Sequence, residues 1–196
     1  MYELEVTADM FLTTQAASAA ATRRDDKPLE AIVIKAVLEG NNDEFAKLYD
    51  RYAALVHGIL LARVPRDEVD DLVQDIFLHA LRKLHTLRDW AAFGPWIAMI
   101  ARNRATDFYR RTRETTEVSD DIPGDSGSIG SRANEILDLI RNLPDAYRET
   151  LVLRLVEGMT GPEIAARTGL TPASVRVNLH RGMKLLRQKL QYEERL

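Results

Sequence analysis

A chain of 196 residues with 45% hydrophobic content and a formal net charge of −3 has enough apolar material for one ordinary core or two small ones. It contains no cysteine, which excludes disulfides, thiolate metal sites and cysteine nucleophiles and fits a reducing cytosol. Its longest apolar runs, such as Ala53 to Leu61, are too short to span a bilayer. Glu3 and Glu5 stand where a secretory leader would be basic, so the expectation is a soluble cytoplasmic protein.

Residues 1–27 are rich in Ala and Thr and hold no sustained periodicity, which reads as a mostly disordered tail. Pro28 sits where a first helical turn begins, and Leu29, Ile32, Val33, Ala36 and Val37 form an apolar stripe that ends at Gly40. Asp43 is the expected N-cap of a second helix, in which Phe45, Leu48, Tyr49, Tyr52, Leu55, Val56, Ile59 and Leu60 keep helical spacing to about Ala62. After Pro65 the pattern returns over Asp67 to Leu84 in Val69, Leu72, Val73, Ile76, Phe77, Ala80 and Leu81. The opposite face opens with acids. Asp67 and Glu68 suit the helix dipole, whereas Asp71, Gln74 and Asp75 lie further in, as a solvated face or as a strip that docks on a basic partner.

Leu84 to Ala92 breaks the rhythm and leads into Phe93 to Arg113. There Phe93, Trp96, Ile97, Ile100, Ala101 and Phe108 fall at helical spacing, beside five arginines opposed only by Asp107 and Glu114. Guanidiniums attract phosphates and aromatic rings stack on unpaired bases, a combination suited to single-stranded nucleic acid. The same pattern also describes an amphipathic core helix with a basic outer face.

Residues 115–131 carry Gly, Ser, Asp and Pro and no base until Arg132 follows, the composition of a flexible acidic linker. Beyond it, Ile136, Leu137, Leu139 and Ile140 precede Pro144, and Tyr147, Leu151, Val152, Leu155 and Val156 precede Gly158. Thr160 and Glu163 form a capping box for a short helix from Gly161 to Thr168. Gly169 then supplies a left-handed turn, and Thr171 and Pro172 open a longer helix to about Leu190 that bears five bases and no acid. Short capped helix, glycine turn and basic second helix make a helix-turn-helix, with Ala165, Leu170 and Val175 as its seam. Ser174, Arg176, Asn178 and Arg181 are the candidates for base edges, and Lys184 for phosphate. Two basic islands thus stand in an acidic chain, and local field governs phosphate binding more than net charge does.

In order along the chain, DEFAKLYDRYAALV, DLVQDIFLHALRKL, FGPWIAMIARNRATDFYRR and LPDAYRETLVLRLVEGMTGPEIAARTGLTPASVRVNLHRGMKLLRQKL resemble the bacterial extracytoplasmic-function sigma factors of the sigma-70 family. The resemblance implies an all-α protein of two small helical domains. Residues 28–114 would be a region 2 domain that opens promoters at the −10 element, and 132–196 a region 4 domain for the −35 element. It implies that Asp71, Gln74, Asp75 and Phe77 hold the β′ clamp helices of core RNA polymerase. Trp96, Arg102, Asn103, Asp107, Arg110 and Arg111 would serve −10 binding and melting, with a flipped-base pocket formed with the Leu84 to Pro95 loop. Ser174, Arg176, Asn178, Arg181 and Lys184 would serve the −35 element. The implied partners are core polymerase, through its β′ clamp helices and β flap, and promoter DNA, with room for an anti-sigma factor. The chain departs from the family pattern at Asn178, where a second base is frequent, and at Gly182, where Ala is common.

A helix-turn-helix regulator that works without polymerase explains 160–190 equally well, but not the acidic strip followed by an Arg- and Trp-bearing helix. An enzyme is disfavoured. His57, His79, His85 and His180 are scattered, no HExxH, GxSxG or Gly-rich phosphate loop occurs, and no cofactor or metal is expected.

Overall fold

The computed structural model describes residues 29–115 and 131–193. The expected tail, 1–27, lies outside them, as does the expected linker except for its two end residues, which belong to helices. Every regular element among the described residues is helical: α1 (29–38), α2 (Phe45–Leu61), α3 (Val69–Lys83), α4 (Phe93–Thr115), α5 (Ser131–Arg141), α6 (Asp145–Leu155), α7 (Gly161–Thr168) and α8 (Pro172–Glu193).

α2 is the axis of the fold. Leu55, Val56, Ile59 and Leu60 are wholly buried, because its apolar residues cover more than one side and α3, α4 and α6 all pack against it. Its start differs from expectation. Asn42–Glu44 form a 3-10 turn with Asn41 at the cap position and no side-chain cap bond, so Asp43 lies inside the turn and does not cap α2.

α1 is also rotated from its expected face. Leu29 and Ile32 are 53% and 64% exposed, while Glu30, Val33, Ile34 and Val37 are buried. A carboxylate takes the place of an apolar residue because it has partners: the Tyr52 hydroxyl donates to Glu30, and the Arg51 guanidinium stands 3.2 Å from it. A buried charge is tolerated when paired in this way. Burial and the Glu30 hydrogen bond together push the Tyr52 phenol upward from its usual pKa.

α3 follows a 3-10 turn at Arg66–Glu68. Two further 3-10 turns, Leu84–Thr86 and Trp90–Ala92, cross to α4, and Asp89 caps the second by accepting from the Ala91 amide at 3.1 Å.

The helix-turn-helix is built as its sequence predicts. Thr160 and Glu163 form a reciprocal capping box. Burial works to raise the Glu163 carboxyl, but the bonds from Thr160 outweigh it and hold the group below its ordinary value. Gly169 takes φ 80° at the end of α7, and the Thr171 hydroxyl accepts from the Ser174 amide at 3.1 Å to start α8. Ala165 and Val175 are buried and Leu170 is half-buried. Ile164, fully buried, completes the seam. Gly182 has a packing reason: a Cβ there would stand 3.0 Å from Leu151 Cδ1 and 3.1 Å from Tyr147 Cβ, so its bare backbone lets α6 and α8 approach closely.

The two units expected to hang on a linker pack against each other. α6 lies on α2 and α7 on α4, and one cluster of buried residues runs through both. A Cβ on Gly58 of α2 would be 2.7 Å from Leu153 of α6, and one on Gly94 would be 3.3 Å from the Arg167 backbone. Arg141 of α5 donates to the carbonyls of Leu61 and Val64 at 3.0 and 2.9 Å, closing the C-terminal end of α2.

Candidate nucleic-acid interface

Three helices present polar faces to solvent. On α3 the exposed residues Asp71, Gln74, Asp75 and Leu78 share one side, since positions three, four and seven apart align on a helix. Asp75 is held by Arg104 of α4 at 2.7 Å, an exposed pair of small energetic weight. Gln74 lines a groove of about 460 Å³ with Tyr49, Ala53, Ala54, His57, Asp70, Val73 and Glu157. Phe77 is elsewhere: it is 4% exposed, with its ring 4.6 Å from Tyr49 and 6.3 Å from Phe45. Its work is to pack α3 on α2, and in this position it cannot touch a partner. The apolar residue on the outer stripe is its neighbour Leu78, 52% exposed.

On α4, Trp96, Asn103, Asp107, Arg110 and Arg111 follow one another along one side. Trp96 is half-buried, its ring 5.7 Å from Phe93, which in turn lies 5.0 Å from Tyr52. This stack anchors the indole while leaving part of it accessible. Asp107 is 3.2 Å from Arg110, whose side chain is 69% exposed, and Asn103 and Asp107 border a small cavity of about 140 Å³ with Asp75, His79 and Ile100. Arg102 does not belong to this stripe. It points to the other unit, where its Nε and Nη2 donate to Glu149 at 3.1 and 2.7 Å. Glu149 also receives Arg63 at 2.8 Å and is only 5% exposed.

On α8, Arg176, Arg181 and Lys184 are exposed, whereas Ser174 and Asn178 are half-buried. Ser174 is further occupied by the Thr171 hydroxyl at 2.8 Å. The outward stripe includes Val177 and His180 as well, which the sequence reading left out because neither is a base of the usual kind. The spacing of Arg176, His180 and Lys184 carried the signal.

Glu149, Arg63 and Glu157 were also missed. Glu149 is an isolated charge within α6, and Arg63 and Glu157 lie just past the ends of α2 and α6; only the packing of two distant segments pairs them. Glu157 holds His57 Nδ1 at 2.6 Å, and this bond raises the His57 pKa against the lowering effect of burial. Among the described residues no group of three or more His, Cys, Asp or Glu is placed to hold a metal, and no helix is long and apolar enough to cross a membrane.

Two stretches of the chain match known protein families. Residues 48–115 match the family model for sigma-70 region 2, and residues 133–186 match that for sigma-70 region 4. The RNA polymerase sigma factor CarQ of Myxococcus xanthus is 34% identical over 163 residues, covering 78% of this chain and 92% of CarQ. The ECF RNA polymerase sigma-E factor of Haemophilus influenzae is 28% identical, covering 81% of this chain and 94% of that protein. Among solved structures, CnrH in complex with the cytosolic domain of CnrY superimposes with a TM-score of 0.60 at 26% identity, covering 82% of this chain and 96% of that one.

Proposed function

The chain belongs to the extracytoplasmic-function sigma factors of the sigma-70 family, and from that premise we propose how its surfaces are shared between core RNA polymerase and promoter DNA. Residues 28–114 act as the polymerase-docking and −10 unit, and residues 132–196 as the −35 unit. Asp71, Gln74 and Asp75 engage the β′ clamp helices, with Leu78 as the apolar contact at the C-terminal end of the stripe. The second unit meets the β flap.

The observation that carries the DNA assignment is the α4 stripe, in which a ring-anchored Trp96 is continuous with Asn103, Arg110 and Arg111. Unstacking a base costs a few kcal/mol, roughly, and a base resting on an aromatic ring returns about 1–3 kcal/mol. A single capture on Trp96 can therefore offset most of one opened step, and the arginines add phosphate attraction along the released strand. On α8, Arg176 and Arg181 read base edges, with His180 between them and Lys184 on phosphate. Ser174 supports the start of the helix. The chain performs no bond chemistry itself; opening draws on binding energy. CnrH was solved with the cytosolic domain of CnrY, and an anti-sigma protein that holds this chain away from polymerase belongs to the same reading.

The test is transcription by purified bacterial core polymerase on a library of genomic fragments, read by start sites. The expected result is a set of shared upstream sequence elements that appears only when the chain is added. Random starts with and without it would refute the reading.

A further inference from the structure

Val177 is an apolar residue placed where the packing of α8 does not call for one. Val175 and Leu186 are buried, and Leu179, Leu185 and Leu190 are half-buried, whereas Val177 is 42% exposed. It stands on the outward stripe, with Ala173 one turn before it, Arg181 one turn after it, and Arg176 and His180 beside it, all exposed. A lone exposed apolar residue is ordinary on a protein surface, but valine suits an exposed helical position badly. Its β-branch loses rotamer freedom there, and burial returns nothing.

The same stiffness has a use. In a helix the two methyls of valine are held in one strongly preferred rotamer, so they meet a ligand with little entropy left to lose. The Thr171 hydroxyl caps α8, which begins at Pro172, and Val177 therefore lies in the second turn, in the part of a recognition helix that reaches base edges. In the major groove only thymine offers a methyl group.

We propose that Val177 reads the 5-methyl group of a thymine in the −35 element, and that this thymine lies within about two base pairs of a guanine gripped by Arg181. The proposal rests on α8 being the helix that enters the groove, and it adds the identity and spacing of two bases. Val177 and Arg181 are four residues apart, about 6 Å along the helix axis. Base pairs are stacked about 3.4 Å apart, so one helical turn covers no more than about two steps. Arg181 donates to guanine O6 and N7. Cytosine presents a bare C5–H where thymine has its methyl, and the purines present polar edges, so Val177 selects thymine by apolar burial and not by a hydrogen bond.

The test starts from the upstream element shared by the start sites that the holoenzyme selects among genomic fragments. Synthetic duplexes carry that element with each thymine in turn replaced by deoxyuridine, which pairs in the same way and lacks only the methyl. Binding to each is measured with holoenzyme assembled from the full chain and core polymerase. The wild type is expected to bind about fourfold more weakly when one thymine, close to a guanine, loses its methyl, the equivalent of about 0.8 kcal/mol for a methyl-sized group. Val177→Ala should bind the unmodified duplex about fourfold more weakly and lose nothing further at that thymine, because both changes delete one contact. Val177→Ile should keep the sensitivity. A wild type that binds every deoxyuridine duplex as well as the parent would overturn the proposal, as would an element without thymine, a sensitive thymine far from any guanine, or a Val177→Ala chain that still weakens at the same thymine. Failure of the underlying reading looks different: with no upstream element shared among the start sites, α8 reads no DNA and Val177 has nothing to recognise.

Discussion

The two basic helices, α4 and α8, resemble each other in sequence and differ in how they are held. α4 is packed on several sides: Ile97, Ala98, Ala101 and Ala105 are almost fully buried, and both α2 and α7 lie against it. α8 is anchored chiefly along one side, by Val175, Gly182 and Leu186 against α6 and α7, and leaves Arg176, His180, Lys184 and Arg187 along an open outer side. A helix that must hold a displaced strand benefits from a rigid platform with few accessible side chains. A helix that enters a groove needs one long open face.

The contrast breaks most sharply in stability. Ile97→Ala is expected to cost about 2–5 kcal/mol, as large-to-small changes in a full core do, while Val177→Ala on the outer face of α8 should stay within about 0.5 kcal/mol. Denaturant unfolding of the two variants measures both, and equal losses would show that α8 is as deeply embedded as α4.

Next in size is the split between melting and recognition. Trp96→Ala should weaken promoter opening by about 1–3 kcal/mol, the worth of one base–aromatic stack, with thymine reactivity to permanganate as the readout. Closed-complex formation should change little. Arg181→Ala should do the reverse, costing about 1–3 kcal/mol of discrimination at one upstream base pair and leaving the permanganate pattern of bound complexes intact. If either variant affects both readouts equally, the two helices do not divide the work.

The smallest expected effect is on the packing of the two units against each other. The bond to Glu157 raises the His57 pKa, aided by the Glu157 and Asp70 charges and opposed by burial and Arg66. A raised value in the packed arrangement of the two units means that His57 contributes to their packing fully below its ordinary value of about 6.5 and that this contribution fades as pH rises through the raised value. The radius of gyration should therefore grow on going from acid to mildly alkaline pH. His57→Gln should flatten that dependence. Because the His57 side chain remains 37% exposed, solvent screens the pair and the change should be modest.

Much of the fold was legible because local signals agreed. The capping box at Thr160 and Glu163, the glycine at 169 and the apolar spacing of α2 and α3 each specify structure within a few residues, and the structure follows them. Errors arose where partners lie far apart in sequence. Glu30 displaced Leu29 and Ile32 from the buried face of α1 because Tyr52 and Arg51, some twenty residues on, neutralise it. Phe77 and Leu78 are adjacent, and the apolar spacing of α3 turns Phe77 inward and Leu78 outward, so the contact that the family resemblance implied for Phe77 falls on a buried ring. Arg102 lies off the side of α4 that carries Asn103 and Arg110, because a turn of the helix carries it toward Glu149, a partner 47 residues on. Contact between the units left no local trace at all. It arises from the shapes of α2 and α6, and from Gly58, which looks like an unremarkable interruption of a helical pattern.

Gly182 ties two positions into one choice. With Leu151 only 3.0 Å and Tyr147 3.1 Å from where a Cβ would sit, an alanine here would make those side chains yield by a few tenths of an ångström or α6 and α8 draw apart. The absence of one methyl group thus fixes how deeply the basic helix is seated on its neighbour.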